Sequence, residues 1–303
     1  MNHRKWYHDK NLVAALPLRY RAYALYSRLL GRPETRRVRG GSFMLRALRR
    51  ASRAVRRPTT VRIRGRDGVV VVTDFADERV LDVIHEIRGE NPEYDVMRTI
   101  LRDGDTFIDV GANYGTFSLL ASRLVGAGGK VLAIEPSPTL AALIRESMRL
   151  SAATGCEVIE AACGDIEGES ELFIPSDDAG RAGIFPAFSA TGAHSVVRVL
   201  VTTLDEVTEN RQLTGRVLLK IDVEGSDLAV LRGARHMIET QRPSIILEIN
   251  PWSARAAGYH PAQLRSLLEG FGYNSVATME SYPSTVPWAD IELDRQSNIV
   301  ALP

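Results

Sequence analysis

Ten residues, Thr106 to Gly115 (TFIDVGANYG), restrict the folds open to this chain more than any other stretch. Thr106 to Val110 is apolar or β-branched apart from Asp109, the pattern of a buried strand. A glycine-punctuated turn follows at once, and then an apolar helical run from about Thr116 to Val125. Strand, tight turn and helix in that order build a ligand site. Glycine lets the backbone approach the ligand, and the N–H groups of the first helical turn point at it.

The details of the turn select the ligand. Dinucleotide sites carry G-x-G-x-x-G, which seats a pyrophosphate on the helix N-terminus. Here the spacing is G-x-x-x-G, from Gly111 to Gly115, and the strand brings a carboxylate, Asp109, beside the turn. An acid there repels a pyrophosphate and suits a cation. S-adenosylmethionine, with its sulfonium and ammonium groups, is the better match. Twenty residues after Gly115, a second strand (Lys130 to Ile134) ends in Glu135-Pro136. A carboxylate at that strand tip can accept both hydroxyls of a ribose.

A second constellation lies at Lys220-Ile-Asp222-Val-Glu224-Gly225, where a strand over residues 216–222 leaves the sheet. Ligands of doubly wound folds bind beyond the carboxyl ends of strands, where the strand order reverses. Asp222 and Glu224 therefore face whatever the first turn holds, and Glu248, at the end of the next strand, reaches the same cleft. An alcohol acceptor must lose a proton when it is alkylated, so Asp222 and Glu224, with Glu248 third, are the candidate bases. Lys220 either steers the acceptor or is salt-bridged to Asp222. His194 and His260 read as surface or capping residues. The three acids offer oxygen ligands, but no metal-ligand spacing supports a metal.

Between these motifs, helix and strand alternate. A hairpin is expected over Val61 to Thr73, with Asp67-Gly68 as its turn. Helical pieces span 78–101, split at Gly89 to Pro92. Further helices are expected at Pro138–Leu150, Leu228–Glu239 (capped by Ser226 or Asp227) and Pro261–Phe271. Strands are expected at 157–162, 244–249, 275–279 and 298–302, with a β-excursion at 170–174 and 195–203 around the loop Asp177 to His194. This is an α/β, Rossmann-like pattern: a mostly parallel sheet, helices on both faces, and an antiparallel edge where the last two strands have no helix between them.

The charge is unevenly spread. Residues 1–66 hold 19 of the 38 Lys and Arg but only Asp9 and Glu34 among the 37 acids. The expected organisation is a basic amphipathic extension over 1–60, then one domain over 61–303, with the hairpin and helical entry at 61–101 and the core at 102–303. The segments 11–30 and 43–57 are basic amphipathic helices, which either pack on the body or lie on an anionic membrane surface. Nucleic acid is not an expected partner, because the aromatics lack an interleaved stacking pattern. No stretch reaches the roughly 18 apolar residues of a spanning helix. The two cysteines, Cys156 and Cys163, flank one strand and suit a reducing cytoplasm. The oligomeric state is not legible.

The motifs DVGANYG, AIEPSP, Thr203-Leu-Asp205, KIDVEGSDLAVLRGA and the terminal NIVAL together resemble the FkbM-type family of S-adenosylmethionine-dependent methyltransferases, from about Glu90 to the C-terminus. The resemblance implies the seven-stranded class I methyltransferase fold and methylation of a hydroxyl oxygen, on a sugar, a lipid-linked glycan, a polyketide or another small molecule. By that resemblance Asp109, Gly111, Asn113 and Gly115 line the methionine side of the cofactor and Glu135 holds the ribose. Gly164 and Asp165 lie by the adenine, and the pair Glu93-Tyr94 closes over the cofactor. Asp227 replaces the family's glutamate, Ser147 and Ser151 stand where asparagines are common, and the N-terminal arm has no counterpart. The rival readings are a nicotinamide-dependent oxidoreductase and a cofactor-binding module without chemistry.

Overall fold

A computed structural model of the 303-residue chain describes residues 60–74, 77, 79–89, 91–175, 179–185 and 194–303. The basic extension and much of the loop from Asp177 to His194 lie outside the described residues.

The hairpin forms as its alternation requires. Strands β1 (Thr60–Arg64) and β2 (Val70–Asp74) pair antiparallel across a short turn in which Asp67 and Gly68 take positive φ. Two helices follow, α1 (Val80–Glu86) and α2 (Pro92–Ile100). Asn91 caps α2 by accepting the Tyr94 N–H, and Pro92 fills the first turn, where no N–H is missed.

The body is a sheet of eight strands in the order β12-β11-β13-β10-β9-β3-β4-β5. These are β3 (Thr106–Val110), β4 (Lys130–Ile134), β5 (Cys156–Ile159), β9 (Val217–Ile221), β10 (Ser244–Ile249), β11 (Ser275–Thr278), β12 (Val286–Pro287) and β13 (Ser297–Ala301). The seven long strands give the Rossmann-like class I arrangement, and the two-residue β12 adds an eighth. The antiparallel strand is not the outermost one: β13 inserts between β10 and β11 and runs antiparallel to both.

Every residue of β3 is buried because helices cover both faces of the sheet. On one face, α2 and α3 (Thr116–Val125) bring Met97, Phe117 and Ala121 against Phe107 and Leu218. On the other, Leu228, Leu231, Met237, Leu264 and Leu268 pack around Ile108, Val110 and Leu219. Each large side chain removed from water contributes about 1.5–3 kcal/mol. Strand β3 has β4 on one side and β9 on the other, both parallel to it, with Asp109 opposite Ala133 and Lys220. The strand order reverses between β3 and β9, so the crevice at their carboxyl ends is where a ligand fits.

The structure corrects three local expectations. Strand β5 stops at Ile159, and Ala162–Cys163 (β6) leaves the main sheet. It joins β7 (Gly168–Pro175) and β8 (His194–Thr202) in a three-stranded side sheet. The helix expected over Leu228–Glu239 is two helices, α6 (Asp227–Arg232) and α7 (Arg235–Gln241), broken at Gly233. The backbones touch there: a Cβ on Gly233 would sit 2.0 Å from the Gly164 carbonyl oxygen. The Asp205 carboxylate, on α5 (Leu204–Glu209), then caps α7 from outside, accepting the His236 and Met237 N–H groups at 3.0 and 2.8 Å. Third, neither Ser226 nor Asp227 gives α6 a side-chain cap, and Asp227 is buried.

Helix α4 (Pro138–Leu150) carries the two serines noted in the sequence. The hydroxyls of Ser147 and Ser151 accept the Val72 and Val70 N–H groups, both at 2.8 Å, and so tie β2 to the body.

Candidate active site

The turn after β3 is held from behind. Gly111 has φ +83, and a Cβ on it would lie 2.1 Å from the Asp222 carbonyl oxygen, so only glycine fits between the two strand tips. Its N–H and that of Ala112 both donate to the Ile134 carbonyl, at 3.0 Å. The Asn113 N–H donates to Glu135 Oε2 (2.8 Å), the Tyr114 N–H to Asn113 Oδ1 (2.9 Å), and the Gly115 N–H to the Ala112 carbonyl (2.7 Å). The N–H groups from Gly111 to Gly115 are thus all taken within the turn and by the tip of β4. A pyrophosphate would find no donors in this turn, whereas a cation needs none.

Glu135 is almost fully buried and accepts a second backbone donor, the Ser137 N–H, at 2.8 Å. Burial is the larger influence and pushes its carboxyl up to about 7 against those two hydrogen bonds. Each oxygen keeps one lone pair, enough for a vicinal diol.

Asp109 is buried to 1% exposure; its Oδ2 accepts the Ser118 hydroxyl at 2.6 Å. Its Oδ1 is enclosed and has no hydrogen-bond partner among the described residues. Burial raises this carboxyl, opposed by the Lys220 ammonium. Lys220 is itself 4% exposed, donates to Asp222 Oδ2 at 2.8 Å, and lies 4.8 Å above the Phe117 ring. Burial would depress the Lys220 ammonium, but Asp222, Asp109 and Glu86 together raise it. Burial would likewise raise Asp222. Lys220 and Arg79 outweigh it and hold the carboxyl below its ordinary range. Asp222 is thus an ion-paired, weakly basic carboxylate.

Glu248 differs from it. Its oxygens accept from Gln296 Nε2 (2.7 Å) and Asn250 Nδ2 (3.5 Å), and no cation pairs with it among the described residues. Burial first, then the neighbouring Asp222 and Glu224, push its carboxyl up to about 7. Glu224 accepts the Ser253 hydroxyl at 2.6 Å from α8 (Pro251–Ala256).

Two cavities meet at this crevice and share Gly111, Asn113, Gly180, Asp222 and Glu224 on their walls. The first is narrow, with Glu135 at one end and Ile134, Ala161, Cys163, Leu172 and Ile184 as apolar walls. The second is wide, about 460 Å³, and mostly polar, with Lys220, Glu248, Glu93 and Asn298 on its walls. It also takes in residues that the sequence does not signal: Arg79, Glu86, Thr116 and Arg181. Arg79 binds Glu86 (2.6 Å) and Asp82 (3.3 Å), and Glu86 accepts the Thr116 hydroxyl at 2.5 Å.

Several expected site residues stand elsewhere. Gly164 and Asp165 line neither cavity; Gly164 abuts Gly233, and the cavity wall on that side is Ala161 to Cys163. Gly115 shapes the turn from behind, against Ile144, and Asp109 lies just under the floor. Glu93 faces the wide cavity, not the narrow one, and accepts the Asn298 amide at 2.5 Å. Tyr94 does not close over it; its ring is buried on the far side, between Arg66 and Arg98 at 6.0 and 5.8 Å. His260, read from the sequence as a surface or capping residue, faces Asp294 at the surface and accepts the Ala262 N–H at 3.2 Å. Asp227 is buried behind the site, accepting the Tyr259 hydroxyl at 3.2 Å. Among the described residues no group of three His, Cys, Asp or Glu is arranged to hold a metal ion, and no helix is long and apolar enough to cross a membrane.

The site thus brings together Glu135, a buried acid with lone pairs to spare, Asp109, a second buried acid beneath the turn, and the carboxylates Asp222 and Glu224 at the adjacent strand tip. The family model "Methyltransferase FkbM domain" matches residues 109–275, and the chain belongs to that family. It is an S-adenosylmethionine-dependent methyltransferase. Similar proteins include the hexuronic acid methyltransferase AglP of Haloferax volcanii, 27% identical over 196 residues (61% of this chain, 70% of that one). The 31-O-demethyl-FK506 methyltransferase FkbM of Streptomyces tacrolimicus is 28% identical over 206 residues (59% and 76%). Among solved structures, the methyltransferase FkbM of Methylobacillus flagellatus KT is 17% identical with a TM-score of 0.42, and the match covers 74% of this chain and about half, 54%, of that one. Family membership excludes the oxidoreductase and the module without chemistry.

Proposed function

We propose that the enzyme methylates a hydroxyl oxygen of a polar small molecule, a sugar or glycan, seated in the wide cavity. One observation carries this reading. The wide cavity opens directly onto the turn and Asp222, and its wall holds a carboxyl, Glu248, whose pKa of about 7 suits a general base. A neutral amine, by contrast, attacks through its lone pair and need not lose a proton first.

When bound, the cofactor supplies an electrophilic methyl carbon on a good leaving group. Glu135 would hold its ribose, and the turn from Gly111 to Asn113, with the buried Asp109 carboxylate beneath it, would take its methionine end. The walls of the wide cavity orient the acceptor oxygen toward the methyl, and such positioning supplies much of the rate. Glu248 takes the hydroxyl proton. Asp222, kept ionised by Lys220, accepts a hydrogen bond from the acceptor and balances charge on the methionine side. The relatives named for a hexuronic acid and for 31-O-demethyl-FK506 support a small-molecule acceptor, and the second name specifies an oxygen. Incubating the protein with labelled S-adenosylmethionine and a panel of sugars, macrolides and amines tests this. Label transferred to an amine but to no hydroxyl would overturn it.

We also propose a cytoplasmic enzyme whose basic residues 1–60 rest on an anionic membrane surface, which suits a lipid-linked glycan acceptor. Equal co-sedimentation with anionic liposomes after removal of residues 1–59 would contradict that.

A further inference from the structure

The side sheet delivers a cation into the wide cavity. Residues 179–185 run along β7, where Phe173 and Gly183 exchange two backbone hydrogen bonds, 2.9 and 3.1 Å. That pairing sets the short turn Ala179–Arg181 across both cavities: Gly180 lines both, and Arg181 lines the wide one.

The cations on the walls of the wide cavity are not equivalent. Arg79 is bound by Asp82 and Glu86, and Lys220 by Asp222. Arg181 is exposed and makes no ion pair or hydrogen bond with any described residue. A guanidinium is always charged and offers a planar fork of donors matched to carboxylate and phosphate oxygens. A cation left unpaired on the wall of a cavity rich in acids has a free fork to give to a ligand.

We propose that Arg181 is a specificity-determining residue that binds an anionic group, carboxylate or phosphate, on the acceptor, while the hydroxyl to be methylated lies at Asp222 and Glu248. This rests on the reading of the wide cavity as the acceptor site. It defines the acceptor class as an acidic sugar: a uronic acid, or a sugar carrying a phosphate.

The test uses the full-length protein with S-adenosylhomocysteine bound and three pyranosides: glucuronic acid, glucose 1-phosphate and methyl glucoside. Calorimetry is carried out on the wild type and on Arg181→Gln and Arg181→Lys. The expected result is that one or both anionic sugars bind roughly 10- to 100-fold more tightly than the neutral one, the scale of a charge-assisted hydrogen bond. The carboxylate and phosphate arms identify which anion is read. Arg181→Gln abolishes the preference, Arg181→Lys retains part of it, and the affinity for S-adenosylhomocysteine is unchanged in both. Equal binding of anionic and neutral sugars by the wild type, or an equal loss for both in Arg181→Gln, would overturn the proposal. Loss of S-adenosylhomocysteine binding in the wild type would instead overturn the reading of the cleft itself.

Discussion

The two cavities differ in what surrounds their acids. In the narrow one, Glu135 is fixed by two backbone N–H groups and walled by apolar side chains, with no cation beside it among the described residues. In the wide one, acids, amides and basic groups face one another, and two ion pairs lock Asp222 and Glu86 while leaving Glu248 uncharged by any partner among the described residues. A rigid, dry acid suits recognition of one invariant ligand. A mixed polar wall suits an acceptor whose protons must move. The difference predicts a division of labour, with the narrow cavity setting cofactor affinity and the wide one setting turnover.

The largest effect that would break this division is expected at Glu248. Glu248→Gln should lower kcat by roughly 10²–10⁴-fold with little change in the Kd for S-adenosylhomocysteine. A larger fall in Asp222→Asn than in Glu248→Gln, measured at saturating cofactor, would move the base to Asp222. Next comes Glu135→Ala, which removes the diol acceptor and strands the Asn113 and Ser137 N–H groups. Cofactor affinity should drop about 100-fold, with stability falling by about 1–3 kcal/mol, as read by calorimetry and a melting curve. Lys220→Met follows. It leaves Asp109 buried beside an unpaired Asp222, at a cost of about 2–3 kcal/mol, less than a fully enclosed pair because Asp222 opens to the cavity (43% of its side chain exposed).

The smallest effect is on the pH profile, and it separates the cavities most sharply. Both Glu135 and Glu248 are raised to about 7. A raised carboxyl holds a proton in the folded state that the unfolded chain has already lost, so each group loses folding stability as pH rises from about 4.5 to about 7. Function runs the other way, because diol binding and proton abstraction both need the ionised form. Cofactor affinity should weaken below pH 7 through Glu135, and kcat at saturating cofactor should fall below pH 7 through Glu248. Glu248→Gln should flatten the second profile and leave the first intact.

The narrow cavity was legible in the sequence because its parts are covalent neighbours. Asp109, Gly111, Asn113 and Glu135 sit on one strand–turn–helix–strand unit, where spacing and glycine fix the geometry. Lys220 and Asp222 were legible too, since the topological rule brings the tip of β9 to β3. The other wall was not. Arg79, Arg181 and Asn298 come from three elements distant in sequence, and Asn298 reaches Glu93 because β13 inserts beside β10. Gly164 and Asp165 line neither cavity because β5 ends early, and the chain then turns toward β8 and the close backbone contact at Gly233. Periodicity carries no information about such a contact.

Helix α4 is gripped at both ends. Ser137 at its start donates to Glu135, and Ser147 and Ser151 near its end hold β2. The hairpin that begins at Thr60 is therefore coupled through α4 to Glu135, by a path of hydrogen bonds that does not pass through Asp222 or Glu248.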